Sequence, residues 1–274
     1  MDQKNIKIKL ENLYRRYNNR MYVHPDPLEF LYSYPDIKNR EVVGLIASSL
    51  AYGKVKQILK SVSSVLDIMK PSPYRFLMNS NYTSLYDAFE GFTHRFASGA
   101  QLSALLWGGK NVIAQFGSLN ACFIDNLSSG DKTLIPAMTF FAKKLTAGKN
   151  KPGHLVALPE KGSACKRMNL FLRWMVRNDN VDPGGWADVP LSKLIVPLDT
   201  HMHKIGLKLG FTSKKQANMD TALEITNGFK KYVPDDPVKY DFSLTRFGIR
   251  EGMNMDSLLS QLSACKSRDL TKTY

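Results

Sequence analysis

Residues 158–177 read LPEKGSACKRMNLFLRWMVR. A Pro, a Gly and a Ser open this stretch, and an amphipathic pattern follows at once, with Met168, Phe171, Leu172 and Met175 on one helical face. Ser163 is a good helix N-cap by type, so the spacing predicts a helix from there to about Arg177. Such a turn presents backbone N–H groups at a helix N-terminus, where a phosphate binds. Gly162 and Ser163 form that turn, and Lys161 and Arg167 add positive charge to it. Lys166 falls in the first helical turn, the end at which a cation is electrostatically disfavoured. Neighbouring cations disfavour its charged form further. A nucleophilic amine needs just that, because only the neutral form attacks. A solvated lysine that simply binds phosphate fits the same spacing.

Helical spacing dominates the chain on either side. Val43, Ile46, Ala47 and Leu50 fall at helical intervals, and Val55, Ile58, Leu59, Val62 and Leu66 continue them past Gly53 until Pro71 and Pro73. Further helices are predicted over 102–116, 134–145, 199–210, 220–232 and 238–247. Residues 178–190, NDNVDPGGWADVP, form a loop rich in Asp, Gly and Pro. Alternating strand patterns are scarce, so the fold class is all-α, and no repeat or low-complexity tract interrupts it. Lys149 and Lys151 mark either a hinge or an ordinary surface loop.

Composition narrows the function classes. The 274 residues carry 38 Lys+Arg against 24 Asp+Glu, a net charge of +14 with a pI near 9.6. That balance points to a polyanionic partner, nucleic acid first, although a basic surface also serves solubility. With 43% apolar and 11% aromatic residues the chain has the material for a core and is not expected to be disordered. Cys122, Cys165 and Cys265 form no CxxC pair, so a zinc finger, a disulfide framework and a four-cysteine iron–sulfur cluster are excluded. The charged N-terminus lacks the apolar core of a signal peptide, and no run reaches the length of a membrane span. A cytoplasmic, reduced location with no membrane partner is expected.

A second stretch, IVPLDTHMHKIGLKLGF at 195–211, places Asp199 just before Thr200 and His201 at a helix start. As an N-cap, Asp199 accepts backbone N–H bonds. Set across a cleft from a neutral lysine, it would also stabilise a positively charged, sugar-like transition state. His201 and His203 point to different faces of a helix, so no metal site is expected there. His201 is expected on backbone or phosphate.

From LDTH through PDDPVKYDFSLTRFGI (198–249) the chain resembles the helix-hairpin-helix (HhH-GPD) DNA glycosylase superfamily, which includes endonuclease III and the 8-oxoguanine DNA glycosylases. The likeness is strongest over 158–250. GSACKRMNLFLRWMVR, VDPGGW and LIVPLDTHMHKI also resemble a bacterial protein family over most of the chain, and VVGLIASSLAYGKVKQI is similar in character to the superfamily's early helix. Two departures stand out. The usual hairpin glycine is replaced by Glu160, and the residues 178–194 lengthen the connection between Lys166 and Asp199. A longer connection and an irregular hairpin are features of the archaeal 8-oxoguanine glycosylase branch.

The resemblance implies a single two-lobed helical domain over 1–274 with an active-site cleft between the lobes. It implies Lys166 as the catalytic amine, Asp199 as the catalytic carboxylate, and no cofactor. Lys161, Gly162, Ser163, Arg167 and His201 would contact DNA. Asp241 would touch the base, and Phe247 or Trp186 would stack on it, although helical spacing assigns Phe242 and Phe247 to the core, and Trp174 likewise. The implied partner is double-stranded DNA with a damaged base, 8-oxoguanine first, excised through a lysine Schiff base with β-elimination. A non-catalytic DNA- or RNA-binding protein on the same fold, or a single-step glycosylase for an alkylated base, fits the sequence as well.

Overall fold

The computed structural model describes residues 3–263, so Cys265 lies outside the described residues. The chain is predominantly helical, as its periodicity predicts. Helix α1 (Gln3–Tyr17) is highly charged yet buries Ile6, Leu10 and Leu13 on one stripe. Next come α2 (Ile37–Ser49), α3 (Val55–Ile68), α4 (Pro73–Asn79) and α5 (Tyr82–Ala88). A two-strand hairpin, β1 (Thr93–His94) and β2 (Ala97–Ser98), leads into α6 (Gly99–Phe116), α7 (Leu119–Asp125) and α8 (Ile135–Leu145). The chain then runs through α9 (Lys166–Val176), α10 (Thr200–Lys208), α11 (Met219–Lys230), α12 (Asp241–Ile249) and α13 (Met255–Ser263).

The early apolar run is two helices, not one. Gly53 breaks it with φ +95°, a conformation that side-chain-bearing residues rarely adopt. Helix α6 packs on α5, α7 and α8, whereas α1 crosses the chain to pack on α12 and α13. Helix α2 lies against α9, which carries Lys166, so the candidate nucleophile is mounted on the buried centre of the molecule. No described helix is long and apolar enough to cross a membrane.

The loop 178–194 is held by charge. Arg173 Nε donates to Asp182 Oδ1 at 3.2 Å, and Arg177 Nη2 donates to Asp236 Oδ2 at 2.9 Å. Asp182 is fully buried and also accepts from Arg177. Trp186 Nε1 donates to Glu41 Oε1 at 2.9 Å, and the same carboxylate accepts the first backbone N–H groups of α7, from Leu119 and Asn120. The extra length of this connection is therefore a structural clamp joining α2, α7 and α9. Asp182→Ala leaves two buried guanidinium groups short of a partner, and unfolding free energy should fall by about 3–5 kcal/mol in a denaturant titration. Unchanged stability would show that the clamp is idle.

Candidate active site

The hairpin preceding α9 is a short 3-10 turn over Pro159–Lys161, closed by Gly162 in the left-handed region at φ +76°. Glu160, in the usual glycine position, pairs with Lys143 at 2.7 Å on the surface. Ser163 does not cap the helix as its type suggested. Its Oγ accepts from Cys165 N at 3.2 Å, and its backbone bridges to Asn218. The N-cap is Cys165, at φ +46° and with no side-chain cap bond, so α9 begins at Lys166 itself. A non-glycine residue held in that conformation costs of order 1–3 kcal/mol and marks a place where surrounding packing fixes the chain direction. Here it fixes the residue that bears the amine.

Asp199 is the N-cap of α10. Its Oδ1 accepts from His201 N at 2.9 Å and Met202 N at 2.8 Å. Those two bonds lock the carboxylate and leave Oδ2 facing Lys166 Nζ at 3.8 Å. The Lys166 side chain is about one-third exposed and that of Asp199 about one-sixth, so the pair is open to solvent on the lysine side.

Two cavities meet at Lys166. The larger, about 460 Å³, is lined by Lys166, Asp199 and His201, by Tyr52 and Gly53 from the α2–α3 junction, and by Trp174 and Asp241. The smaller, about 310 Å³, has Leu45, Phe141, Leu155 and Phe171 on its wall together with Ser48, Ser49 and Arg167. Both volumes fall in the range of small-molecule pockets. The larger cavity is charge-balanced, with Lys166, Arg173 and Arg246 facing Asp26, Asp199 and Asp241. The net positive charge of the chain therefore acts from outside it.

Polar atoms without a protein hydrogen-bond partner cluster on this cavity. Asp241 Oδ1, Trp174 Nε1 and Arg246 Nε are all buried and all unpartnered, on residues that line it. Asp241 Oδ2 accepts from Arg173 Nη1, and Arg246 Nη2 donates to Asp26 Oδ2 at 2.6 Å, so both side chains are fixed, with the unpartnered atom of each sealed from solvent. A buried unsatisfied polar atom costs about 1–3 kcal/mol, which a ligand of matching pattern recovers. The guanidinium groups of Arg173 and Arg246 lie 5.9 and 4.5 Å from the ring centre of Phe242, which sits in the core as its spacing predicts.

The sequence-predicted residues divide accordingly. Lys166, Asp199, His201 and Asp241 meet at one cavity, and Lys161 and Gly162 are exposed on the hairpin. Trp186 is corrected: it is fully buried against Phe123 and Phe171, its N–H is taken by Glu41, and it lines neither cavity. Phe247 sits in the core, as its helical spacing predicts, and not against a base: it meets Tyr17 edge-on at 5.1 Å and lines neither cavity. Arg167 is spent within the protein. Its guanidinium donates to Ser49 O and His154 O and lies 4.9 Å over the Tyr52 ring, so it braces the cleft rim rather than standing free for phosphate.

Trp174 is buried, as expected of a core residue, and it also lines the larger cavity. Lys166, Leu170, Arg173 and Trp174 all line it, at the intervals of one helical face. That spacing was available in the sequence. No group of three or more His, Cys, Asp or Glu able to hold a metal occurs among the described residues. His203 is engaged with Lys214 O at 2.8 Å.

A protein family described as "Protein of unknown function (DUF2400)" matches residues 26–250. Comparison with curated proteins and with solved structures gives no match.

Proposed function

The chain belongs to that DUF2400 family, and because the family carries no assigned activity, we propose one from the cleft: a DNA glycosylase with lyase activity, taking an oxidised purine, 8-oxoguanine first. The observation that carries this reading is the 3.8 Å approach of Lys166 Nζ to Asp199 Oδ2 on the wall of a shared cavity. The packing of α1 with α12 and α13, apart from α5–α8, fits two helical lobes with the cleft between them.

In this mechanism a damaged nucleotide leaves the base stack and enters the larger cavity, as chemistry on a base requires. Lys166 Nζ attacks C1′ through its nitrogen lone pair, the glycosidic bond breaks, and the base departs with the bonding electrons and acquires a proton. Asp199, locked by its two backbone N–H bonds, faces the developing positive charge on the sugar. Loss of a proton from the nitrogen and ring opening give a Schiff base. Removal of a C2′ proton then expels the 3′ phosphate, and hydrolysis frees the lysine. Asp241, on the cavity lining, accepts from an N–H of the base. The 8-oxoguanine ring supplies such N–H groups.

The test is incubation with a duplex bearing one 8-oxoguanine in the presence of borohydride, which reduces a Schiff base to a stable adduct. Strand scission and a covalent protein–DNA adduct are expected. Binding with neither would leave a nucleic-acid-binding protein and overturn the catalytic reading.

Asp241 gives the reading a pH signature. Burial pushes its carboxyl up to about 6, with Arg173 opposing and the charges of Asp199 and Asp182 adding to the rise. Ionised, Asp241 only accepts hydrogen bonds; protonated, it donates one. Single-turnover excision should therefore climb with pH through a midpoint near 6, and Asp241→Asn should remove that inflection. Stability runs the other way. A carboxyl raised from its ordinary 3.8 favours the fold below about 4 and loses that contribution as pH rises through about 6. A rate that rises over this interval is thus not a refolding effect, and an Asp241→Asn profile with the same midpoint would assign it to another group.

A further inference from the structure

Arg173 of α9 and Arg177 at its C-terminal end join four carboxyl groups into one network that runs from the loop 178–194 to the larger cavity. Arg173 uses two edges of its guanidinium: Nε donates to Asp182 Oδ1 at 3.2 Å, and Nη1 donates to Asp241 Oδ2. Arg177 Nη1 lies 2.8 Å from Asp179 Oδ2 and also donates to Asp182, while Nη2 donates to Asp236 Oδ2 at 2.9 Å. Arg173 and Asp241 line the larger cavity, whereas Arg177, Asp179, Asp182 and Asp236 line neither cavity. The cavity wall is thus tied to charges that lie behind it.

This network is short of positive charge. With Asp179, Asp182, Asp236 and Asp241 all ionised, two guanidinium groups face four carboxylates. Burial makes that excess costly, so a proton stays on the carboxyl that is held least well. Asp179 accepts from the backbone N–H groups of Val181 and Asp182 and from Tyr14 OH at 3.0 Å. Asp236 accepts from both Nε and Nη2 of Arg177 and is partly open to solvent. Burial raises Asp182, but both guanidinium groups oppose the rise and donate to it. Among the described residues Asp241 accepts from Arg173 alone, and its Oδ1 has no hydrogen-bond partner. Asp241 is therefore where the proton resides.

Other charges face Asp241 across the cavity. They are Lys166 on α9, Asp199 and His201 at the start of α10, and Asp26 in its bond with Arg246, with the Tyr52 hydroxyl also titratable. Asp182 differs from all of them, because it reaches Asp241 only through the guanidinium they share.

We infer that Asp182 is a positioning residue acting through Arg173: it draws the shared guanidinium toward the loop, and so sets how readily Asp241 gives up its proton to become an acceptor for the base. The use of that acceptor rests on the glycosylase reading, whereas the charge network does not. Loss of the Asp182 charge removes a like charge and leaves Arg173 to Asp241, and both effects favour ionised Asp241. The extra length between Lys166 and Asp199 thereby acts on the cavity as well as on the fold.

The experiment follows two pH profiles in the full chain, Asp182→Asn and Asp236→Asn. One is single-turnover excision from an 8-oxoguanine duplex. The other is a ¹³C NMR titration of aspartate carboxyl groups in the protein alone, with Asp241 assigned by the signal that Asp241→Asn removes. Asp182→Asn should lower both midpoints. At pH 5 a carboxyl with its midpoint near 6 is about one-tenth ionised. There the variant should excise at least about threefold faster than the parent, each measured against its own high-pH plateau. Asp236→Asn, partly exposed and one guanidinium further off, should shift both midpoints the same way by less, and it carries the test if Asp182→Asn does not fold. A purely structural Asp182 would cost stability and leave both midpoints in place. Unmoved or raised NMR midpoints in the folded variants overturn the network. Midpoints that fall by NMR but not in excision overturn its role in the reaction. Falling NMR midpoints with no excision by any form of the protein overturn the glycosylase reading and leave the network standing.

Discussion

Lys166→Gln should abolish covalent capture of a lesion-bearing duplex and lower base excision by on the order of 10⁴–10⁶-fold, the range found when a group essential to covalent catalysis is removed. The side chain is about one-third exposed and its structural partner is Asp199 at 3.8 Å, so Gln fits with little disturbance of packing. Helix α9 is held by its buried face, Phe171, Leu172, Trp174 and Met175, which the substitution leaves untouched. Binding to duplex DNA should therefore persist, as gel mobility or fluorescence anisotropy will report. Trapping at the parent level in Lys166→Gln would assign the amine elsewhere. Loss of binding together with trapping would make Lys166 a phosphate anchor.

Asp199→Asn should bind DNA as the parent does and excise the base about 10²–10⁴-fold more slowly, as expected for a positioned charge that stabilises a transition state. Asparagine caps a helix about as well as aspartate, so the bonds from His201 N and Met202 N survive and only the charge is lost. Asp199→Ala removes both, and should add a stability loss of about 1 kcal/mol to the same catalytic defect. The pair of variants separates the two roles: excision follows charge, stability follows the cap. If Asp199→Asn keeps full specific activity while Asp199→Ala merely unfolds more readily, Asp199 is a cap and nothing more.

The helical class was legible because the apolar residues of α2, α3, α6 and α9 keep helical spacing, whereas helix starts marked Lys166 and Asp199 only singly and the glycosylase resemblance implied the pair. What escaped reading depends on distant partners. Trp186, in a Gly- and Pro-rich loop, reads as an aromatic free to stack on a base until Glu41 is seen to take its N–H across 145 positions of sequence. Ser163 has the chemistry of a cap, yet Cys165 takes the position because packing, not propensity, sets its left-handed backbone. Arg167 carries the charge of a phosphate ligand, but the carbonyls of Ser49 and His154 have already claimed it. Trp174 shows the opposite error. Its place on the Lys166 face follows from helical intervals alone, and assigning a buried aromatic to the core hid its free N–H.

The most direct measurement is peptide mapping of the borohydride-reduced adduct formed with an 8-oxoguanine duplex. Mass spectrometry should place the sugar remnant on the peptide containing Lys166, and on that lysine within it. An adduct on Lys161 or on any other amine, or a duplex cleaved with no adduct at all, would contradict a lysine nucleophile at the head of α9.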